Sequence, residues 1–587
     1  MLNYVAIDTE TALITAGNLT PALTCVSFDK GDGPWLLNQS LGALQVKQYL
    51  LSDWHIIGHN IAYDLAVIKN EYPKLEPLIW KAYDEGRIHD TKIREQLNDI
   101  ESGLLGSHGY SLSDLSERYL GVHLNKSGEG PRLKYGPLRE IPIDKWPPDA
   151  IDYAKDDAKA TLAVFNKQVG PNLADEAAQC RAAWALHLMS VRGVITNEKA
   201  VLALANQLQE KYDALQSELK TVGFFQLGGT KKAPKWTKNL TAVRNRVRSI
   251  FGTSSPQTGT GRVATDADTL TQTQDPLLKK LVEFSGTEKL LKTYVPVLVF
   301  GTRTAINARF NVLVASGRTS CSRPNLQNLP RTGGLRECFV PRPGFVFISA
   351  DYDTIEMRCL AQIHLWMFGK SAMAEVLRSG KDLHLEVASR LLQWSYEETF
   401  EKRGTAEVKN ARQAAKVANY GFSGDMQAST LVDFARAQYH INLSSRLAFE
   451  LYEAFFSAWP EMVPYLRHAE LTARRDKQLT QFVSKRIRGR IGKRDCANSW
   501  FQGLAADGAK AACYVVTTEC ALDETSPLYQ SYPVVFLHDQ IICETPIDCA
   551  SAAAKRLGDI MCREMARFVP EVPITAEGVV FGDRWVK

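Results

Sequence analysis

Asp8 and Glu10 stand two residues apart, directly after the short apolar run Tyr4 to Ile7. The period of two along a strand places both carboxylates on one face, where they can share a hard cation. Two further pairs, Asn60 with Asp64 and Tyr153 with Asp157, are spaced by four and so each share a face of a predicted helix. Four carboxylates and a phenol can then converge. Like charges gathered in this way call for compensating metal, and two Mg²⁺ or Mn²⁺ ions about 3.5 to 4 Å apart are the usual arrangement for phosphodiester hydrolysis. Asp156 falls on another face of its helix and reads as surface charge.

A second group lies farther along. The apolar run Val346 to Ala350 leads into Asp351, and the run Val534 to Leu537 ends in His538 and Asp539. If these two predicted strands are neighbours, their carboxylates meet in a second dimetal site. Between them Arg412, Lys416 and Tyr420 recur every four residues, a ladder of two cations and an aromatic on one helix face. Such a stripe matches a triphosphate and its nucleoside, because phosphoryl transfer needs charge stabilisation more than covalent chemistry. Arg494, Asn498 and Gln502 repeat the spacing, and the basic run Lys485, Arg486, Arg488, Arg490, Lys493 and Arg494 reads as phosphate contacts.

Several elements must position these groups. A chain of 587 residues predicts three or four domains, and 45% hydrophobic with 23% charged residues is an ordinary globular composition, which excludes global disorder. Strands near 4–7 and 54–58, followed by a helical pattern through Ile68, indicate an α/β layer. Val169-Gly170-Pro171-Asn172 marks a domain boundary, and an Ala/Leu/Gln-rich stretch follows from Leu173 to about Leu219. Residues 222–275, rich in Gly, Thr, Ser, Lys and Gln, read as exposed structure without a core. Residues 1–170 carry 23 acidic and 17 basic side chains while the whole chain has a net charge of +5, so an acidic appendage precedes a basic body, as suits a polyanion binder. The 11 scattered cysteines contain no C-x-x-C pair, which points to a reducing cytoplasm, and the chain shows neither an export signal nor a membrane span.

The ordered set D-x-E, N-x-x-x-D and Y-x-x-x-D resembles the three motifs of the 3′-to-5′ proofreading exonuclease domain of the DnaQ-like superfamily, an RNase H-like fold. The resemblance implies that Asp8, Glu10, Asp64 and Asp157 hold the metals, that Tyr153 orients the attacking water and that Asn60 contacts the single-stranded end. The rest of the chain resembles family A DNA polymerases, the class of bacterial DNA polymerase I and several phage replicative enzymes. Asp351 and Asp539 match its metal-binding aspartates, and Arg412, Lys416 and Tyr420 its nucleotide-binding helix. Gly317-Arg318-Thr319-Ser320 and Pro324 to Pro330, with Asn325 and Gln327, match the segment whose arginine reads the minor groove near the primer end. Gly380 to His384 matches a segment whose histidine approaches the incoming triphosphate, while Arg494, Asn498 and Gln502 match a helix against the primer-template minor groove. Glu356 matches the residue that blocks a ribose 2′-hydroxyl, so deoxynucleotides are favoured.

The implied architecture is mixed α/β and α+β. An exonuclease domain at 1–170 precedes a right-hand polymerase at 171–587, with thumb about 195–300, palm about 305–375 and 515–587, and fingers about 376–514. The implied function is template-directed DNA synthesis with proofreading, using two Mg²⁺ or Mn²⁺ ions in each site. Primer-template DNA, deoxynucleoside triphosphates and replication accessory proteins such as a helicase and a single-strand binding protein are the implied partners. With Asp8 so near the start, no transit peptide or 5′-nuclease domain is expected upstream, which favours a phage-like replicative enzyme in a bacterial cytoplasm. Three positions depart from the family pattern. Gln540 replaces the glutamate of His-Asp-Glu, Asp353 adds a carboxylate on the face of Asp351, and Gly424 stands where a tyrosine is common. A single-subunit RNA polymerase, a nuclease on a DNA-binding scaffold and a single-strand binder are the rival readings. Glu356 and the exonuclease set oppose the first, and two separate metal sites oppose the last.

Overall fold

In the N-terminal sheet, seven consecutive residues of the strand Leu23–Asp29 are buried, the near-continuous pattern of a strand covered on both faces. The computed structural model describes residues 2–124, 130, 133–230, 233–439 and 441–586. The strand order runs Trp35–Asn38, Leu23–Asp29, Tyr4–Thr11, His55–Gly58, Ile88–Asp90; neighbours among the first three pair antiparallel and the last three run parallel. The first strand continues past Ile7 to Thr11, so Asp8 and Glu10 lie within it rather than at its end. The register sets Glu10 opposite Cys25 and Asp8 opposite Ser27.

Three helices matter for the first site: Ala62–Glu71, Thr91–Ser102 and Pro148–Lys167. The last begins with proline at a first-turn position, where no amide is needed, and carries Tyr153 and Asp157 one turn apart. The shared helix face expected for Asn60 and Asp64 is not formed. Asn60 adopts φ +62, a left-handed turn, and the helix starts only at Ala62. The turn is held by the Asp90 carboxylate, which accepts from the N–H groups of Asn60 (3.0 Å) and Ile61 (3.2 Å).

Beyond Gly170 a short 3-10 turn, Pro171–Asp175, leads into the helix Glu176–Arg192. The Ala/Leu/Gln-rich stretch is therefore two helices, parted by Gly193 at φ +58 before Glu198–Thr221 begins. Residues 222–275, expected to lack a core, take part in one. Phe224, Phe225, Val243, Val247, Val263 and Leu270 pack with Leu215, Leu219, Leu278, Leu281 and Phe284. The few apolar residues of this stretch suffice because the flanking helices Glu198–Thr221 and Pro276–Lys289 supply the other half of the core. Residues 231 and 232 of this stretch lie outside the described residues.

The C-terminal part is built on an antiparallel sheet ordered Tyr532–Phe536, Gln540–Pro546, Phe345–Tyr352, Ala576–Gly582. The strands of Asp351 and Asp539 are thus not neighbours, since Gln540–Pro546 lies between them. The helix Ala550–Ala566 packs on this sheet so closely that a Cβ at Gly578 would overlap the Ala554 carbonyl. The helix Lys493–Leu522 is continuous, so the palm–fingers division expected at 514/515 falls in mid-helix. Among the described residues no helix is long and apolar enough to cross a membrane.

Candidate active sites

In the first site carboxylate oxygens of Asp8, Glu10 and Asp157 lie within 4.8 Å of one another. Glu10 and Asp157 are buried and Asp8 half-buried. Three carboxylates this close in a partly dry setting are compatible with a divalent cation. The fourth expected ligand, Asp64, is buried beside them, and its Oδ1 accepts from the N–H (3.0 Å) and hydroxyl (2.6 Å) of Thr9, the residue between Asp8 and Glu10. Burial pushes the Asp64 carboxyl up to about 7 against the pull of those hydrogen bonds. Tyr153 is half-buried, its ring 6.3 Å from that of Tyr135, whose hydroxyl donates to the Ala150 carbonyl (2.6 Å). Asn60 is exposed, and its side-chain oxygen accepts from Lys92 Nζ (3.3 Å). A second acidic group, Glu95, Asp99 and His108, holds its own cation, with Arg118 2.7 Å from Glu95.

In the second site a hairpin turn does what neighbouring strands were expected to do. His538 adopts φ +63 between the strands Tyr532–Phe536 and Gln540–Pro546, and the turn sets Asp539 directly before the intervening strand. Gln540 pairs with Asp351 in the register, and the Tyr352 N–H donates to the Asp539 carbonyl (3.1 Å). Both carboxylates thereby reach one end of the sheet. Desolvation in the cleft raises the Asp539 carboxyl above its ordinary range, opposed by Arg318 and Arg331. Gln540 is turned along the sheet and donates to the Ser349 hydroxyl (2.8 Å). Asp353 is exposed like Asp351 but lies just past the strand's end at Tyr352, outside its alternation, and is engaged by Arg358 at 2.9 Å.

The helix Ala406–Ser423 carries Arg412, Lys416 and Tyr420 as half-buried positions amid buried alanines and valines. Arg412 is aimed by Asp382, 2.6 Å away, which also caps the helix Leu383–Leu392 by accepting from the His384 and Leu385 N–H groups. His384 is buried with its ring 5.8 Å from Tyr420. Its tautomer follows from its neighbours. The Trp459 indole N–H can only donate, and it donates to Asn419 Oδ1 (2.9 Å), so the Asn419 amide presents its N–H to His384 Nδ1 (2.9 Å). His384 Nδ1 is then an acceptor, and the neutral ring carries its proton on Nε2. Burial, with Arg412 and Lys416 nearby, lowers this imidazole to about 4 although Asp382 opposes the shift. Burial raises the Tyr420 hydroxyl, and after Tyr439 the groups acting on it are Asp539, Asp353 and Asp351.

A cavity of about 140 Å³ brings together Arg318, Glu356, Gln502, His538 and Asp539. Within it Arg318 and Glu356 form an ion pair. Desolvation, then Arg318, lowers the His538 imidazole to about 4. Gln327 spends its amide on Thr319 Oγ1 (2.9 Å) and the Phe536 carbonyl (3.0 Å), and the Asn325 side chain caps the Asn328 N–H (3.2 Å). Arg494, Asn498 and Gln502 share a face of the helix Lys493–Leu522, and Asn498 donates to the Gly424 carbonyl (3.3 Å). The basic run divides. Lys485, Arg490 and Arg494 are exposed, whereas Arg486, expected to contact phosphate, is 2% exposed and paired with Asp175 and Asp507. Two buried carboxylates hold it more strongly than an exposed site could.

Residues 199–587 match the family described as DNA polymerase family A. The chain belongs to that family. Its residues 1–168 match the 3′-5′ exonuclease domain, so this family A polymerase joins the two modules. It is 23% identical to DNA polymerase I of Borreliella burgdorferi over 95% of this chain and 60% of that protein. It is 24% identical to DNA polymerase I of Aquifex aeolicus over 92% of this chain and 89% of that one, and 30% identical to that of Chloroflexus aurantiacus over 53% and 32%. The chain therefore spans about three fifths of the Borreliella relative and about a third of the Chloroflexus one. A solved structure of the POL domain of Pol1 from M. smegmatis, in complex with DNA primer-template and dNTP, superposes with a TM-score of 0.71 at 21% identity, covering 99% of this chain and 95% of that one. Two residues of the candidate site do not stand out in the sequence. Asp382 lies in a segment marked by its histidine, and Asn419 adjoins Tyr420 on the buried face of its helix. A buried asparagine in mid-helix is the signal, because it must have partners.

Proposed function

We propose that the chain performs template-directed DNA synthesis from deoxynucleoside triphosphates and removes mispaired 3′ ends by hydrolysis. The observation that carries this reading is that the backbone register brings Asp351 and Asp539 to one end of the sheet, and their charge, with that of Asp353, bears on the hydroxyl of Tyr420 at the end of the cationic ladder. Ladder and carboxylates thus face one cleft, the triphosphate's charge meeting Arg412 and Lys416 and its reacting end meeting the aspartates. Asp351 and Asp539 would hold two Mg²⁺ or Mn²⁺ ions, which when bound activate the primer 3′-hydroxyl and steady the triphosphate. His384, neutral with its proton on Nε2, offers a fixed donor to a phosphate oxygen. Glu356 excludes a ribose 2′-hydroxyl, while Arg318, Asn325, Gln327, Arg494, Asn498, Gln502 and His538 line the path of the duplex. In the exonuclease domain Asp8, Glu10, Asp64 and Asp157 would hold the second pair of ions, with Tyr153 orienting water and Asn60 meeting the single-stranded end. Domain limits of 1–170 and 171–587, with a thumb at about 195–300, palm and fingers joined through the continuous helix Lys493–Leu522, and a role in phage DNA replication complete the proposal.

The test is extension of a 5′-labelled primer on a DNA template with Mg²⁺, for wild type, Asp539→Ala and Asp8→Ala. Extension only with deoxynucleotides in the wild type, shortening alone in Asp539→Ala, and extension without shortening in Asp8→Ala are expected. Shortening of the wild-type primer under every condition would leave a nuclease on a DNA-binding scaffold.

A further inference from the structure

Arg318 is carried by a tight loop. The Val314 N–H donates to the Arg318 carbonyl (2.8 Å), and Gly317, at φ +87, donates its N–H to the Val314 carbonyl (2.8 Å). A Cβ on Gly317 would strike the Arg486 guanidinium, so this backbone lies directly on that group. Lys510 Nζ donates to the Gly317 carbonyl (2.9 Å) and to Gln179 Oε1 (2.6 Å), and sits 3.3 Å from Asp507. Arg486 in turn joins Asp507 (3.0 Å) to Asp175 (2.6 Å). None of these four charged residues is more than 8% exposed. Two carboxylates and two cations balance, and each is expensive to bury without the others. The chemistry proposed above uses none of them. The two cations meet at the loop under Arg318, where Arg486 lies against Gly317 and Lys510 donates to the Gly317 carbonyl.

We infer that Lys510 is a positioning residue for Arg318: its ammonium, fixed by Asp507 and Gln179, holds the Gly317 carbonyl and so sets where the Arg318 guanidinium meets the minor groove at the primer end. This rests on the polymerase reading above. The bland alternative is a cation that only neutralises Asp507, and the two differ in what Lys510→Met does. Methionine keeps the length of the side chain and removes the donor.

The experiment measures kcat and KM for extension from matched and mismatched primer ends, for Lys510→Met, Arg318→Ala and both together, in an Asp8→Ala background that spares the primer. Lys510→Met is expected to reduce the preference for the matched end by about tenfold, the effect of roughly one lost charged hydrogen bond. In the Arg318→Ala background it is expected to reduce the preference no further. An unchanged preference, or a loss that multiplies with that of Arg318→Ala, overturns the inference. Hydrolysis of a single-stranded oligonucleotide by Lys510→Met with Asp8 intact reports whether the chain folds. Should it not fold, Gln179→Leu removes the other anchor of the ammonium and is expected to lower the same preference; no change there also overturns the inference. A wild type that does not extend primers at all refutes the polymerase reading instead.

Discussion

Asn419→Asp reverses the sense of the hydrogen-bond chain that ends on His384. In the wild type the Asn419 amide donates to Nδ1, so a second proton on the ring has no acceptor there, and burial holds the imidazole at about 4 against an ordinary 6.5. Between those values the unfolded chain binds a proton that the folded chain refuses. Stability is therefore full above 6.5 and is lost as the pH falls through about 4, by about 3 kcal/mol in all. The new carboxylate still accepts from Trp459 but can only accept from His384, which favours the protonated ring and lifts its folded pKa above 6.5. The sign then inverts, with stabilisation present below 6.5 and lost as the pH rises through the raised value. Asp382, Arg412 and Lys416 flank the ring in both proteins, so the difference isolates position 419. Urea unfolding between pH 4 and 8, paired with NMR titration of the His384 ring, measures both quantities. A ring that titrates near 4 in both proteins, or stability slopes of the same sign, refutes the tautomer assignment and with it the fixed Nε2 donor.

The resemblance to family A polymerases implies that the Tyr420 hydroxyl replaces the sugar contact a dideoxynucleotide lacks, so Tyr420→Phe is expected to weaken termination by dideoxynucleotides; equal termination in a sequencing-type extension assay would remove that role. Arg486→Met leaves Asp175 buried without its cation and Asp507 with Lys510 alone, and should cost about 3–5 kcal/mol in urea unfolding; a cost below about 1 kcal/mol would mean that the cluster is hydrated in solution. Phe284→Ala, in the core formed with residues 224–270, should cost about 3–5 kcal/mol in the transition of that region. Little change would return this segment to the coreless state that its composition suggested.

The candidate sites were more legible than the scaffold. The convergence of Asp8, Glu10 and Asp157 was visible because strand and helix periods fix which carboxylates share a face, and the ladder Arg412, Lys416 and Tyr420 because a helix repeats every turn. Asn60 misled because spacing by four assumes a helix already begun, whereas the Asp90 cap delays the helix by two residues. The meeting of Asp351 and Asp539 could be guessed but not its means, since a hairpin turn at positive φ leaves no apolar pattern. Arg486 misled for another reason: a run of cations looks alike whether solvent or buried carboxylates receive it, and Asp175 is 311 residues away. The core around Phe284 was hidden because half of its residues belong to helices outside the glycine-rich stretch.

Asp175 and Glu176 are neighbours in sequence yet serve opposite sides. Asp175 belongs to the Arg486 pair, whereas Glu176 accepts from the Asp90 N–H (3.1 Å) and pairs with Arg94 (2.6 Å) inside the N-terminal fold. A fragment ending at 170 would strand Arg94, only 9% exposed, without its counter-charge. The two halves are therefore poorly interchangeable parts. Grafting this exonuclease onto another polymerase, or freeing it as a stand-alone nuclease, requires carrying along the first turn of its neighbour's helix.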